Sequence, residues 1–124
     1  GFPAWDEDCP GIKFIHELLR KYRPEYEPPT KVPHVMYMAG IVEAMVQLEA
    51  LRLAMEEKPL DELRPVDVLE KGVWRIKGLD TGGLTNTPLT YGPEKVEGMD
   101  ACRVDQVRNG RITKVGLYPL RHLY

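Results

Sequence analysis

Serine is missing altogether from this chain of 124 residues. That removes a serine nucleophile and every triad built on one. Cysteine is scarce: Cys9 and Cys102 are the two present, too few for a four-cysteine zinc site or a disulfide-built miniprotein. Basic charge has no excess, with 17 Lys and Arg against 19 Asp and Glu and a net charge of -2. Nothing is left over to neutralise a phosphate backbone, which argues against a nucleic-acid partner. No apolar run is long enough to span a membrane, because the stretch from Val35 to Ala54 is broken by Glu43, Gln47, Glu49 and Arg52. The start, Gly1-Phe2-Pro3-Ala4-Trp5, carries no basic and apolar leader and reads as the interior of a longer protein.

What is present fits one globular domain, with 43% apolar and 29% charged residues. Eleven Pro and eleven Gly put about a third of the chain into turns and irregular segments. Asp6-Glu7-Asp8-Cys9-Pro10 has the marks of a helix start, with acidic residues at the positive end of the dipole and Pro in the first position. Ile12, Ile15, Leu19 and Tyr22, widened by Phe14 and Leu18, then predict a helix from about Pro10 to Tyr22, stopped by Pro24. Arg23 to Pro33 is proline-rich and reads as an extended connector. A second helix is expected from about His34 to Lys58. Its polar residues form a thin strip, so it demands cover on several sides. A third is expected over 65–76, with Val66, Leu69, Val73 and Ile76 on one face, and Lys77 to Gly98 reads as loop. Asn109-Gly110 is the preferred two-residue hairpin turn. Pairing outward from it predicts a hairpin over about 101–118. One face would hold Cys102, Val104, Val115 and Leu117, and the other Arg103, Asp105 and Lys114.

Chemistry is sparse. His16, His34 and His122 have no partners at metal-ligand spacing, and no metal or other cofactor is expected. Cys9 and Cys102 could form one disulfide or stand as two unrelated thiols; neither lies in a CxxC. Asp6, Glu7 and Asp8 are more simply helix-capping groups than an acid–base cluster. Asp80-Thr81-Gly82-Gly83 lacks the pattern of a phosphate loop. Met36, Met38, Met45 and Met55 are mostly core filler, but Met36, Tyr37 and Met38 fall in the second helix's first turn, where an aromatic beside free amides could wall a ligand pocket.

The segments KYRPEYEPPT, VMYMAGIVEAMVQLEALRLA, LRPVDVLEKGVWRIKGLDTGGLT and CRVDQVRNGRI, in that order, resemble the C-terminal part of type I periplasmic binding proteins. The nearest branch is that of the branched-chain amino acid binding components of ABC importers. The resemblance rests on Tyr37, Gly40, Ala44, Glu49, Ala50, Leu51 and Ala54, then on Asp80 to Leu84, then on Arg103, Val104, Gln106, Val107, Gly110 and Ile112. It implies an α/β fold of two lobes that close on a ligand, of which this chain would supply three helices and a C-terminal β-hairpin. It also implies a non-enzymatic solute receptor for a small amino acid or related amide or carboxylate. Such a receptor would be periplasmic or extracellular, with a lipid anchor through a missing N-terminus as one form of it, and would deliver its ligand to a membrane permease. Tyr37, with Met36 beside it, becomes the candidate ligand wall, and Trp5 a further candidate. The hairpin falls in the third crossover between lobes. Ile41 stands where relatives often carry an aromatic residue.

Two rival roles follow from the same residues. The fold also serves ligand-sensing regulators. A small dimeric α+β enzyme would use Asp6, Glu7 or His16 at a subunit interface. The over-apolar second helix and the unsupported hairpin further predict a homo-oligomer or exchanged elements if the segment is isolated.

Overall fold

In the computed structural model the chain is described over residues 2–26 and 35–120; the expectations for His34, His122 and the connector 27–33 lie outside the described residues. Helix α1 spans Pro10–Tyr22 and buries Gly11, Ile12, Ile15 and Leu19, while Phe14 and Tyr22 are exposed. The buried stripe is therefore narrower than the apolar pattern. The expected acidic cap is not what starts it. The N-cap is Cys9, in extended backbone and with no side-chain cap hydrogen bond. Pro10 brings no N–H to satisfy, and the next donor, Gly11 N, gives its hydrogen to the Gly82 carbonyl at 2.8 Å. A distant loop thus finishes the helix.

Beyond α1 the connector does not begin extended. Pro24–Tyr26 forms one 3₁₀ turn, closed by Tyr26 N to Arg23 O at 3.0 Å. The Arg23 side chain holds it, reaching Glu25 at 2.7 Å and the Tyr26 hydroxyl at 2.9 Å.

Helix α2 spans Val35–Ala54 and buries Met38, Ala50 and Ala54. It ends before Lys58 because its last carbonyls are taken by a tightening turn: Glu56 N bonds Leu53 O at 3.3 Å and Glu57 N bonds Ala54 O at 3.1 Å. Lys58 is drawn away to Asp67, 3.0 Å from each carboxylate oxygen. Much of the apolar surface of α2 stays open, with Val35, Met36, Tyr37 and Leu48 exposed.

The third helical element is not one regular helix. Helix α3, Pro65–Asp67, passes into a π turn at Val68–Gly72 and a 3₁₀ turn at Val73–Arg75. Gly72 explains the irregularity: its backbone lies against α2, and a Cβ there would overlap the Ala50 carbonyl. The π turn carries an extra residue, so the expected apolar face loses phase. Ile76 is buried, but Val66 and Leu69 are exposed.

Residues 77–98 contribute to the core rather than merely connecting it. Leu84 and Leu89 are buried, Leu79 and Leu89 bridge antiparallel, and Asp80 accepts the Gly82 amide at 2.8 Å. Leu84 closes a cluster with Ile12, Ile15, Leu19 and Met38.

Strands β1 (Ala101–Arg108) and β2 (Arg111–Pro119) pair antiparallel around Asn109-Gly110, whose φ values are 50° and 74°. Near the turn Val107 faces Ile112 and Asp105 faces Lys114, but the register shifts between Val104 and Asp105, so that Val104 pairs with Gly116 and Cys102 with Tyr118. Val115 is the extra residue of this bulge. The shift places Leu117 opposite Arg103, not Cys102, and dissolves the expected apolar face. It is Arg103 that is buried, at 8% exposure, while Cys102, Val104, Val115 and Leu117 are exposed. A guanidinium with carboxylate partners, and not the aliphatic face, holds the hairpin down.

Candidate functional site

Residues 2–9 form an irregular strand-like approach to α1, with a turn at Trp5-Asp6. Together with α1, the start of α2 and the hairpin tip, they wall a cavity of about 850 Å³. Its apolar lining includes Phe2, Trp5, Ile12 and Met38, and its polar lining includes Glu7 and His16. A volume of this size and an apolar wall with a few polar groups are those of a small-molecule site.

The aromatic residues converge. The Trp5 and Tyr37 rings lie 6.3 Å apart and tilted by 46°, and Trp5 meets the His16 ring edge-on at 6.4 Å. His16 Nε2 lies 3.3 Å from the Trp5 carbonyl oxygen. The structure therefore brings two of the sequence-derived ligand candidates, Trp5 and Tyr37, onto one patch, with His16 on Trp5 as well. Neither Met36, 64% exposed, nor Tyr37 is among the residues that line the cavity; their neighbours Val35 and Met38 line it instead, and Tyr37 adjoins it through Trp5.

The acidic trio disperses. The Glu7 carboxylate accepts two hydrogen bonds from Arg103, at 2.8 and 2.7 Å. That guanidinium holds the Glu7 carboxyl below the usual carboxylate range. Asp8 pairs with Lys13 at 2.7 Å, which likewise lowers its pKa, and Asp6 is exposed. A carboxylate kept ionised by a cationic partner is a poor proton donor at neutral pH, so Glu7 and Asp8 have the character of ion pairs. Among the described residues no group of three or more His, Cys, Asp or Glu could hold a metal ion. Cys9 and Cys102 stand as free thiols, the first half-buried and the second exposed.

Arg103 is the residue that sequence reasoning missed. Alternation alone put it on an outer charged face. The signal that could have found it is its spacing from Asp105, two residues on along a strand and so on the same side, which it reaches at 2.6 Å. Away from the cavity, a shallow apolar groove of about 480 Å³ runs past Leu48, Leu51, Met55 and Leu60. No described helix is long and apolar enough to cross a membrane.

No protein-family description and no curated protein matches this sequence. A solved structure does match: a branched chain amino acid ABC transporter from Thermus thermophilus, determined with bound valine. The two share 23% identity at a TM-score of 0.70. The match covers 98% of this chain and 32% of that one, so the chain spans about a third of that structure's length. The resemblance drawn from the sequence motifs thus holds at the level of the fold: an α/β segment of three helical elements and a hairpin, arranged as in part of that protein.

Proposed function

We propose that this chain is the C-terminal part of an extracytoplasmic solute-binding component of an ABC importer. It binds a small amino acid in a cleft between two lobes and passes it to a membrane permease. The observation that carries this reading is the likeness of nearly the whole chain to the valine-bound transporter structure, at a TM-score of 0.70. Two features of this chain support it independently. The exposed apolar length of α2 and the lightly anchored hairpin are what remain when a larger scaffold is removed. The patch of Trp5, His16 and Tyr37 adjoins a cavity of about 850 Å³ whose walls include the apolar Phe2, Ile12 and Met38.

In this reading the segment supplies the wall against which an aliphatic side chain rests, with Trp5 and Tyr37 as its rings and Met36 at its margin. The ligand's ammonium and carboxylate are met by residues outside this segment. Affinity comes from lobe closure, which expels water and buries the ligand on both sides.

Calorimetric titration of the intact protein with valine, leucine and isoleucine tests this. Binding of at least one is expected, with Tyr37→Ala weakening it about tenfold, the equivalent of about 1.4 kcal/mol. Failure of all three to bind would remove the amino-acid reading, and unchanged affinity in Tyr37→Ala would remove Tyr37 from the wall.

A further inference from the structure

Trp5 sits on a stretch that is neither helix nor strand, so tethers must set the position of its ring. Three are visible. The first is a local turn: Glu7 N bonds Ala4 O at 3.0 Å, and Ala4 N bonds Glu7 Oε2 at 3.3 Å. The second is His16, at 3.3 Å from the Trp5 carbonyl. The third crosses almost the whole chain, the bidentate pair between Glu7 and Arg103, whose residues lie 96 positions apart.

The third differs from the others in kind. The Arg103 side chain is only 6% exposed, and its Nε is fixed by Asp105 at 2.6 Å. Its fork is thus oriented before Glu7 arrives. A planar fork that donates two parallel bonds to one carboxylate dictates orientation as well as distance, which a lysine cannot do. Glu7 in turn closes the turn that carries Trp5.

We infer that Arg103 is a positioning residue for ligand binding: through Glu7 it sets the Trp5 ring against Tyr37. This rests on the reading of Trp5 and Tyr37 as the ligand wall. Arg103 acts from the hairpin and is not among the residues lining the cavity, so its effect on the ligand passes through Glu7 and Trp5.

The test uses the intact protein carrying Trp74→Phe, which leaves Trp5 as the emitter within this segment. Any further tryptophan elsewhere in the protein is subtracted with a Trp5→Phe reference. Acrylamide quenching of Trp5 is measured without ligand, and valine affinity by calorimetry. Arg103→Lys keeps the charge and loses the fork. It is expected to raise the Trp5 quenching constant at least twofold and to weaken valine binding about fivefold, with little change in circular dichroism. Glu7→Gln, at the more exposed end of the pair, should do the same and carries the test if Arg103→Lys does not fold. Arg108→Lys, at the exposed outer part of β1, should change neither. Unchanged Trp5 quenching in both Arg103→Lys and Glu7→Gln overturns the inference. Raised quenching with unchanged valine affinity also overturns it, because Trp5 would then be positioned but not used. A parent protein that binds no valine, leucine or isoleucine instead sinks the amino-acid reading, while the quenching comparison still decides whether Arg103 places Trp5.

Discussion

Gly11 and Leu84 should behave as one energetic unit. Gly11 lies in the first turn of α1, and Leu84, fully buried, fills the space where its side chain would be. A Cβ at Gly11 would stand 2.8 Å from the Thr81 carbonyl oxygen and would overlap the Leu84 side chain. An exposed helical Gly→Ala change stabilises by about 0.5–1 kcal/mol. Here overpacking against backbone costs about 1–3 kcal/mol, so Gly11→Ala should be destabilising on balance, by about 1–2 kcal/mol. Leu84→Ala removes a side chain enclosed by Ile12, Ile15, Leu19 and Met38. A helix backbone on one side cannot collapse into the void, which places the cost in the upper part of the usual range, about 3–5 kcal/mol. The double variant should then cost less than the sum by about 1 kcal/mol, since the new methyl enters the vacated space. Only part is recovered, because the Thr81 carbonyl still stands in the way. Urea unfolding of the intact protein and its three variants gives the cycle, read from midpoints at constant slope. A stabilising Gly11→Ala, or strict additivity of the two changes, would refute the close approach on which this reasoning depends.

Other outcomes follow from the same geometry. Gly72→Ala should destabilise by about 1–3 kcal/mol, because a Cβ at Gly72 would run into the Ala50 carbonyl; thermal unfolding would show it, and an unchanged midpoint would refute it. Gly110→Ala should cost about 1–2 kcal/mol, since φ at Gly110 is 74° and that region disfavours a Cβ; chemical-shift changes confined to the hairpin would locate the effect. Glu7 and Asp67 both have carboxyl pKa values lowered in the folded state, by hydrogen bonds from Arg103 and from Lys58 with Arg64 respectively. Their contribution is fully present above the ordinary values of 4.5 and 3.8 and is lost as pH falls through the lower folded values. Stability should therefore decline on acidification below about pH 5, and Glu7→Gln with Asp67→Asn should flatten that decline in denaturant midpoints measured from pH 3 to 7.

The local elements were legible in the residues. Spacing of Ile12, Ile15 and Leu19 marks the buried side of α1, and Asn109-Gly110 marks the turn between β1 and β2. What the residues hid depended on distant contacts. The period of 3.6 is broken by a glycine pressed on another helix, which no local pattern announces. The bulge at Val115 moves every later side chain of β2 to the other side of its partner, so alternation counted from the turn fails beyond Asp105. Motif order singled out Trp5 and Tyr37 as candidates. That their rings meet was not legible, because nothing in one dimension brings the start of α2 against the residues that precede α1. Glu7 was read as a cap because its position fits one; its true partner lies on the opposite side of the sequence.

The bond from Gly11 to the Gly82 carbonyl has a consequence for the order of assembly. During synthesis α1 leaves the ribosome before the Asp80–Leu84 stretch, so it lacks the acceptor that completes its first turn, and the leucine that seals its greasy side, until that stretch has followed. Seating α1 is therefore a late event with a costly loop closure, coupled to a segment that looks like mere linker. Mutations in that glycine-rich stretch would be felt first as a failure to seat α1.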